Sequence, residues 1–394
     1  MDLTADPCDD FYQYACGGFI AKHASTDPWD SVFNIQLSND SMNQNIKKML
    51  LGDSYEEELR KARDEFADCI FNRNLTDKVT LSTFNEIMKE CTFTMMYMFE
   101  WELASAYVKQ NPHEESIEAV RNMIDAIKFE FWKIVTNSGW MDDTSLNETF
   151  KKVQNLILIL GYPPWFLTAS RRPSVAVLRQ QSPFLIGATY FTYANLIFFP
   201  LLTMSPPFYN LGLDVLDYGA IGAIIGHELT HMFVTYDIDA NGNRIRIWPS
   251  FVIKLYDDKT DCIRVQYLEA FEKFLSFWEG ESHKIGKNKK MEENVADFAG
   301  LKAAFYAYKQ LNGPKRKLVD FENYSTEQLF FVSNAHLMCS RETMEFMKSL
   351  ILRTNHSPFR YRVNLPMANF DEFARAWGCT LGTKMNPHKK CVVW

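Results

Sequence analysis

Hydrophobic side chains recur at three- and four-residue spacing through much of the first half of the chain. The spacing predicts helices over Glu56–Asp68, Thr80–Lys89, Phe93–Gln110, Ser116–Val135 and Asn147–Leu160. A more polar helical stretch precedes them at Asn34–Leu51, and Gly52-Asp-Ser-Tyr reads as a joint. Breaks fall at Asn111-Pro112, Ser138-Gly139 and Gly161-Tyr-Pro-Pro. The Trp, Phe and Met residues in this region are most simply core. From Gln181 to Asn210 the pattern turns extended. Ala188-Thr-Tyr-Phe-Thr-Tyr and Leu196-Ile-Phe-Phe are aromatic and β-branched, bounded by Pro183, Pro200 and Pro206-Pro207, and predict a small edge sheet. Helical periodicity returns at Tyr218–Phe233, apolar on several sides, then at Gln266–Gly280 and Met291–Tyr306. In the last of these Gly300 would let another backbone come close. Lys284–Lys290 reads as a solvated basic linker. The whole is mainly α with a small edge β-sheet, an α+β class.

Composition narrows the class a little. A charge of −7 over 394 residues gives no basic patch for nucleic acid. The longest apolar runs, near Val153–Leu160 and Leu196–Leu202, are too short to span a membrane, and the N-terminus has no basic-then-apolar leader. Eight cysteines, several near the chain ends, favour a disulfide framework, although spacing alone leaves the pairing open. Sequons at Asn39, Asn74, Asn147, Asn323 and Asn355 fit the same extracellular compartment.

The chemistry is concentrated in two helices. His227 and His231 are four apart and project from one helix face, within reach of a single ion. Glu228 sits about a quarter-turn round, where it can face a metal-activated water without ligating the metal. His-Glu-x-x-His on a helix therefore supplies two imidazole ligands and a general base, a pattern suited to zinc. About sixty residues later Glu293 and Asp297 are again four apart. One of them can complete the metal site while the other accepts the free N–H of a metal-bound imidazole. Asp237-Ile-Asp-Ala-Asn-Gly-Asn-Arg superficially suggests a calcium loop, but the later bidentate Glu and the flanking helices are missing.

Several segments together resemble the neprilysin and endothelin-converting-enzyme family of zinc metallopeptidases. They are Gly226-His-Glu-Leu-Thr-His231, Glu293-Asn-Val-Ala-Asp297, Cys391-Val-Val-Trp394, Pro7-Cys8-Asp-Asp-Phe11-Tyr-Gln-Tyr-Ala-Cys16-Gly, Trp140-Met-Asp-Asp-Thr144 and Leu160-Gly-Tyr-Pro163. The resemblance implies a zincin-like (gluzincin) catalytic domain with an added helical part. The expected site is one Zn2+ on His227, His231 and Glu293, with Glu228 as base then acid and Asp297 orienting a zinc-bound histidine. Asn355-His356-Ser-Pro358-Phe-Arg-Tyr-Arg362 is similar to the family segment whose histidine donates to the oxyanion and whose arginine binds substrate. Phe208, Ile224 and Met338 map onto the family's hydrophobic pocket, which implies cleavage of small peptides on the amino side of large apolar residues. The resemblance also implies the pairs Cys8–Cys379, Cys16–Cys339, Cys262–Cys391 and Cys69–Cys91.

Two features depart from the family pattern. The asparagine that grips substrate is replaced by Gly187, while the neighbouring Ala188 is kept. A family segment is missing near residues 52–70, and it includes much of the lobe that closes over the site. The expected layout is a cysteine-bearing arm at 1–52, a helical region at 53–180 and the catalytic domain at 181–394. An extracellular or plasma-membrane ectodomain follows from the resemblance, with any membrane anchor upstream. The main expectation is a metalloendopeptidase. Its alternatives are a catalytically impaired zinc-binding homologue that binds peptides, or another zinc hydrolase such as an aminopeptidase.

Overall fold

Two helices cross at the centre of the molecule because each has a glycine where they meet. In this computed structural model, which describes residues 1–394 apart from 25–30, 53–56, 74–79, 112, 167–181, 234–236, 239–243, 246, 276–289 and 313–315, those glycines are Gly226 and Gly300. A Cβ at Gly226 would lie 2.5 Å from the Gly300 carbonyl oxygen, and one at Gly300 would lie 2.4 Å from the His227 nitrogen. Only bare backbone fits, so the helix carrying His227 touches the helix carrying Glu293 directly.

Chain order places these two helices among others. The amino-terminal arm forms α1 (Phe11–Lys22), and β1 (Val32–Phe33) leads through a tight turn into α2 (Leu37–Leu51). Next come α3 (Glu57–Asn72), α4 (Leu81–Met98), α5 (Glu100–Gln110), α6 (Glu114–Asn137) and α7 (Asp143–Gln154). Strands β2 (Ile157–Gly161), β3 (Thr189–Phe191) and β4 (Leu196–Pro200) follow, then a single turn, α8 (Asp214–Asp217). The central pair is α9 (Ala223–His231) and α11 (Met291–Lys309), separated by β5 (Asp237–Ile238), β6 (Arg244–Ile245) and α10 (Ser250–Leu275). The chain ends with α12 (Thr326–Leu337), β7 (Ser340–Arg341), α13 (Met344–Arg353), α14 (Phe359–Ala368) and α15 (Asp371–Trp377).

The expected mainly helical α+β architecture is present, with corrections in detail. The stretch Asn147–Leu160, expected as one helix, is helical only to Gln154. Ile157–Gly161 instead pairs in parallel with Leu196–Pro200. Leu156–Leu160 is a continuous apolar run, which periodicity alone cannot assign, and Ile157 and Ile159 suit a strand. The β3 strand runs antiparallel on the other side of β4, so the sheet order is β2-β4-β3 with β3 at the edge beside α9. The break expected between Lys89 and Phe93 falls instead at Phe99, where Glu100 and Glu102 open a new helix at its electropositive end. The helix expected from Gln266 begins sixteen residues earlier, at Ser250, and its proposed end at Gly280 lies outside the described residues. Most of the calcium-like loop also lies outside them.

Two apolar cores form. The larger gathers α1, α6, α9, α11, α12 and the carboxy-terminal segment; the smaller belongs to α2–α5 and meets the rest at Phe166, Phe184, Leu201 and Leu202. All four implied disulfides are present, and Cys69–Cys91 is internal to the smaller group. Cys8–Cys379 and Cys16–Cys339 bind the amino-terminal arm to the carboxy-terminal third. No helix among the described residues is long and apolar enough to cross a membrane.

Candidate metal centre

The site begins with a wide π-turn at Tyr218–Gly222 that leads into α9. Neighbours satisfy the backbone groups that this turn frees. Asn334 Nδ2 donates to the Gly219 carbonyl (3.1 Å), Ser333 Oγ donates to the Leu216 carbonyl (2.7 Å), and the Ile221 N–H donates to the Phe208 carbonyl (3.0 Å). That last bond attaches the Phe208 loop to the root of the histidine helix.

At the end of α9 the two imidazoles meet the first turn of α11. His227 Nε2 is 3.1 Å from His231 Nε2 and 3.1 Å from Glu293 Oε2, and His231 Nε2 is 3.5 Å from the same oxygen. Ligands about 2.0–2.1 Å from a tetrahedral zinc stand roughly 3.3 Å from one another, so these three atoms fit the ion. The donor chemistry fits as well. His227 Nδ1 is 2.9 Å from Asp297 Oδ1, so the proton belongs on Nδ1 and Nε2 offers its lone pair to the cation. Asp297 therefore meets the far nitrogen of the His227 ring, whereas Glu293 stands with the two Nε2 atoms.

The electrostatics follow from this packing. Burial opposes a charge on His227, but hydrogen bonds to Asp297 and Glu293 outweigh it and push the ring's pKa up to about 10. Burial would raise Glu293, yet its imidazole neighbours hold it well below the usual carboxylate range. Asp297 is likewise held down to about 2, with the Arg362 guanidinium overcoming the cost of burial.

The remaining expected residues converge on the same place. His356 Nε2 lies 3.0 Å from Glu293 Oε2, with its side chain 51% exposed at the mouth of the site. Arg362 Nε donates to Asp297 Oδ2 and Nη2 donates to Oδ1, both at 2.8 Å. The sequence placed Arg362 on substrate; here two of its nitrogens are already committed to the carboxylate behind His227. A cavity of about 490 Å³ is lined by His227, Glu228, Ala188, Phe208, Ile224, Met338, His356 and Arg362. Glu228 is buried on its wall. Gly187 borders the same cavity at φ +89°, with its carbonyl accepting from Thr203 Oγ1 (2.8 Å) and open space where a side chain would stand.

Among the further wall residues that escaped the sequence reading are Phe33, Ile35, Phe346 and Leu350. Phe33 and Ile35 come from the amino-terminal arm and reach the site because β1 pairs with β7, a two-residue match with no periodic signal. Lys290, expected in a solvated linker, is buried. Its Nζ donates to the carbonyls of Leu350 (2.6 Å), Thr354 (2.6 Å) and His356 (3.0 Å), and burial lowers its pKa to about 8. An ammonium six residues from Lys284 in a run of lysines gives no sign of this in sequence.

Two family models, each described as "Peptidase family M13", match the chain, one over residues 187–393 and the other over 7–92 and 71–163. An endothelin-converting enzyme homolog of Locusta migratoria is 29% identical over 332 residues, covering 74% of this chain and 45% of that protein. The chain spans about half the length of the curated relatives it matches. Among solved structures, the zinc metalloprotease Zmp1 of Mycobacterium tuberculosis, in complex with inhibitor, superposes with a TM-score of 0.65 at 20% identity. That match covers 78% of this chain and 51% of the other. A chain of the Haemonchus galactose-containing glycoprotein complex gives a TM-score of 0.76 at 17% identity, covering 100% of this chain and 97% of that one.

Proposed function

The chain belongs to peptidase family M13, and we propose that it is a zinc-dependent endopeptidase acting on small peptides. The observation that carries this reading is the meeting of His227 Nε2, His231 Nε2 and Glu293 Oε2, with Asp297 fixing the tautomer of the first ring. Zinc held by those three atoms supplies a Lewis acid that polarises the scissile carbonyl and makes a water acidic near neutral pH. Glu228, on the cavity wall, takes a proton from the attacking water and returns it to the leaving amine. Asp297 keeps the Nδ1 proton of His227 in place and is itself held by Arg362. His356 donates to the oxygen that gains charge as the carbonyl is attacked, a role in which a preorganised donor strengthens as the transition state forms. Arg362 has a third nitrogen beyond the Asp297 fork, which we assign to a substrate carbonyl.

An extended peptide would add itself to the outer edge of β3, with Ala188 immediately before that strand. The apolar wall of Phe208, Ile224 and Met338 supports cleavage on the amino side of a large hydrophobic residue. Four disulfides favour an oxidising, extracellular compartment.

The test is hydrolysis of an end-blocked fluorogenic peptide by the zinc-loaded protein, with chelation and zinc add-back. Cleavage of the blocked peptide that chelation abolishes supports the endopeptidase. Cleavage only of peptides with a free amine points instead to an aminopeptidase. Gly187 favours a second reading, a zinc-binding homologue that holds peptides without turning them over, because no side chain at that position reaches the cavity. Peptide binding by the zinc-loaded protein without hydrolysis would select it.

A further inference from the structure

His356 stands on an exposed turn, between α13 and α14, whose backbone has little intrinsic reason to be fixed. Arg353, Thr354, Asn355 and His356 are all exposed. Beneath the turn, the three ammonium protons of Lys290 match three main-chain carbonyls one for one, at Leu350, Thr354 and His356. The Leu350 carbonyl belongs to the last turn of α13, where a cation also complements the helix dipole. Thr354 Oγ1 donates to the carbonyls of Leu350 and His356 (both 2.9 Å), closing the turn on itself. On the far side of His356, buried Ser357 donates to Asn294 Oδ1 at 2.7 Å. Lys290 and Asn294 flank the start of α11, one on each side of Glu293. The turn is therefore tied to the metal-ligand helix at two points that bracket His356.

We propose that Lys290 is a positioning residue for His356: its ammonium clamps the 350–356 backbone to the start of α11 and so fixes the imaginary line from the His356 ring to the reacting carbonyl. This rests on the endopeptidase reading for its catalytic consequence, but not for its geometry. A lysine that merely stabilised the end of α13, or merely added positive charge near Glu293, would act whether or not His356 were present.

The experiment is a double-mutant cycle on the full zinc-loaded chain, comparing Lys290→Met, His356→Ala and both together on a blocked peptide. Lys290→Met is expected to lower kcat on the order of ten-fold with KM changed less than about two-fold. In the His356→Ala background it is expected to lower kcat no further, and Lys290→Arg is expected to recover most of the loss. Tryptic cleavage after Arg353 gives a readout independent of activity, and we expect it to be about ten-fold faster in Lys290→Met while other sites are cut at unchanged rates. Lys290→Gln serves the same tests if the methionine variant does not fold. Multiplying effects of Lys290→Met and His356→Ala, or an unchanged cut at Arg353, would overturn the proposal. Should the unmutated protein hydrolyse no peptide, the functional reading fails, and the Arg353 cut alone still decides whether Lys290 holds the turn.

Discussion

Asp297 and Arg362 face each other as a two-point pair, Oδ2 to Nε and Oδ1 to Nη2, each at 2.8 Å, directly behind the Nδ1 of His227. The carboxylate shares Oδ1 between the guanidinium and the imidazole. One buried acid thus neutralises an arginine and sets which nitrogen of the His227 imidazole is free.

Replacing Asp297 by Asn should weaken zinc binding, because the Nδ1 proton loses its charged acceptor, and should also lower stability, because buried Arg362 loses its counter-charge. Partners of this kind typically contribute a factor of about 10–100 in affinity. Competition with a chromophoric chelator measures it. An unchanged affinity would remove Asp297 from the site's design.

The Glu228→Gln variant should bind one zinc per chain and lose turnover by roughly 10²–10⁴-fold, since the amide cannot take a proton from water. Metal content by elemental analysis and hydrolysis of a blocked peptide are the two readouts. Cleavage at the wild-type rate would refute the base assignment.

Adding one methyl group at the crossing of α9 and α11 should be costly. Gly226→Ala places a Cβ 2.5 Å from the Gly300 carbonyl oxygen, with backbone on both sides. Overpacking of that kind destabilises by about 1–3 kcal/mol or more. Urea unfolding should show the loss, and zinc affinity should fall with it, because the two ligand-bearing helices are forced apart. Equal stability and affinity would mean that the helices are not held in direct backbone contact.

Glu342 predicts a pH dependence. Burial pushes its pKa up to about 7, against the opposing pull of the Phe359 N–H, Arg360 and Arg362. Between pH 4.5 and 7 the unfolded chain gives up this proton while the folded chain keeps it. The folded state then binds more protons, so stability attributable to this group falls as pH rises through that window. Glu342→Gln should therefore be neutral at pH 4 and more stable than the parent by roughly 3 kcal/mol at pH 8. Urea unfolding of both proteins at the two pH values checks the sign, and a gain at pH 4 equal to that at pH 8 would contradict it.

The candidate metal centre was the most legible part of the chain, because helical spacing alone puts His227 beside His231 and Glu293 one turn from Asp297. Gly300 also signalled a close approach, and its partner proved to be Gly226. Less was legible where geometry depends on distant segments. Ile157–Gly161 looked helical because a short apolar run suits a buried helix and a buried strand equally; its pairing with Leu196–Pro200 decided the matter. Phe33 entered the cavity through a two-residue strand pairing that leaves no pattern. Lys290 sat in a lysine-rich run, and only the three carbonyls brought over it by the turn at His356 distinguish it from its solvated neighbours.

The distribution of cross-links has a consequence for motion. Three of the four disulfides staple the main body to itself, whereas the α2–α5 group carries only its internal Cys69–Cys91 bridge. No disulfide therefore restrains that group from tilting against the main body; among the described residues, an apolar seam that includes Phe166, Phe184, Leu201 and Leu202 resists it. Phe33 and Ile35 lie just before α2 and line the cavity. A tilt of the group would drag on that wall, and by thermodynamic reciprocity a peptide that fills the cavity would bias the tilt in return.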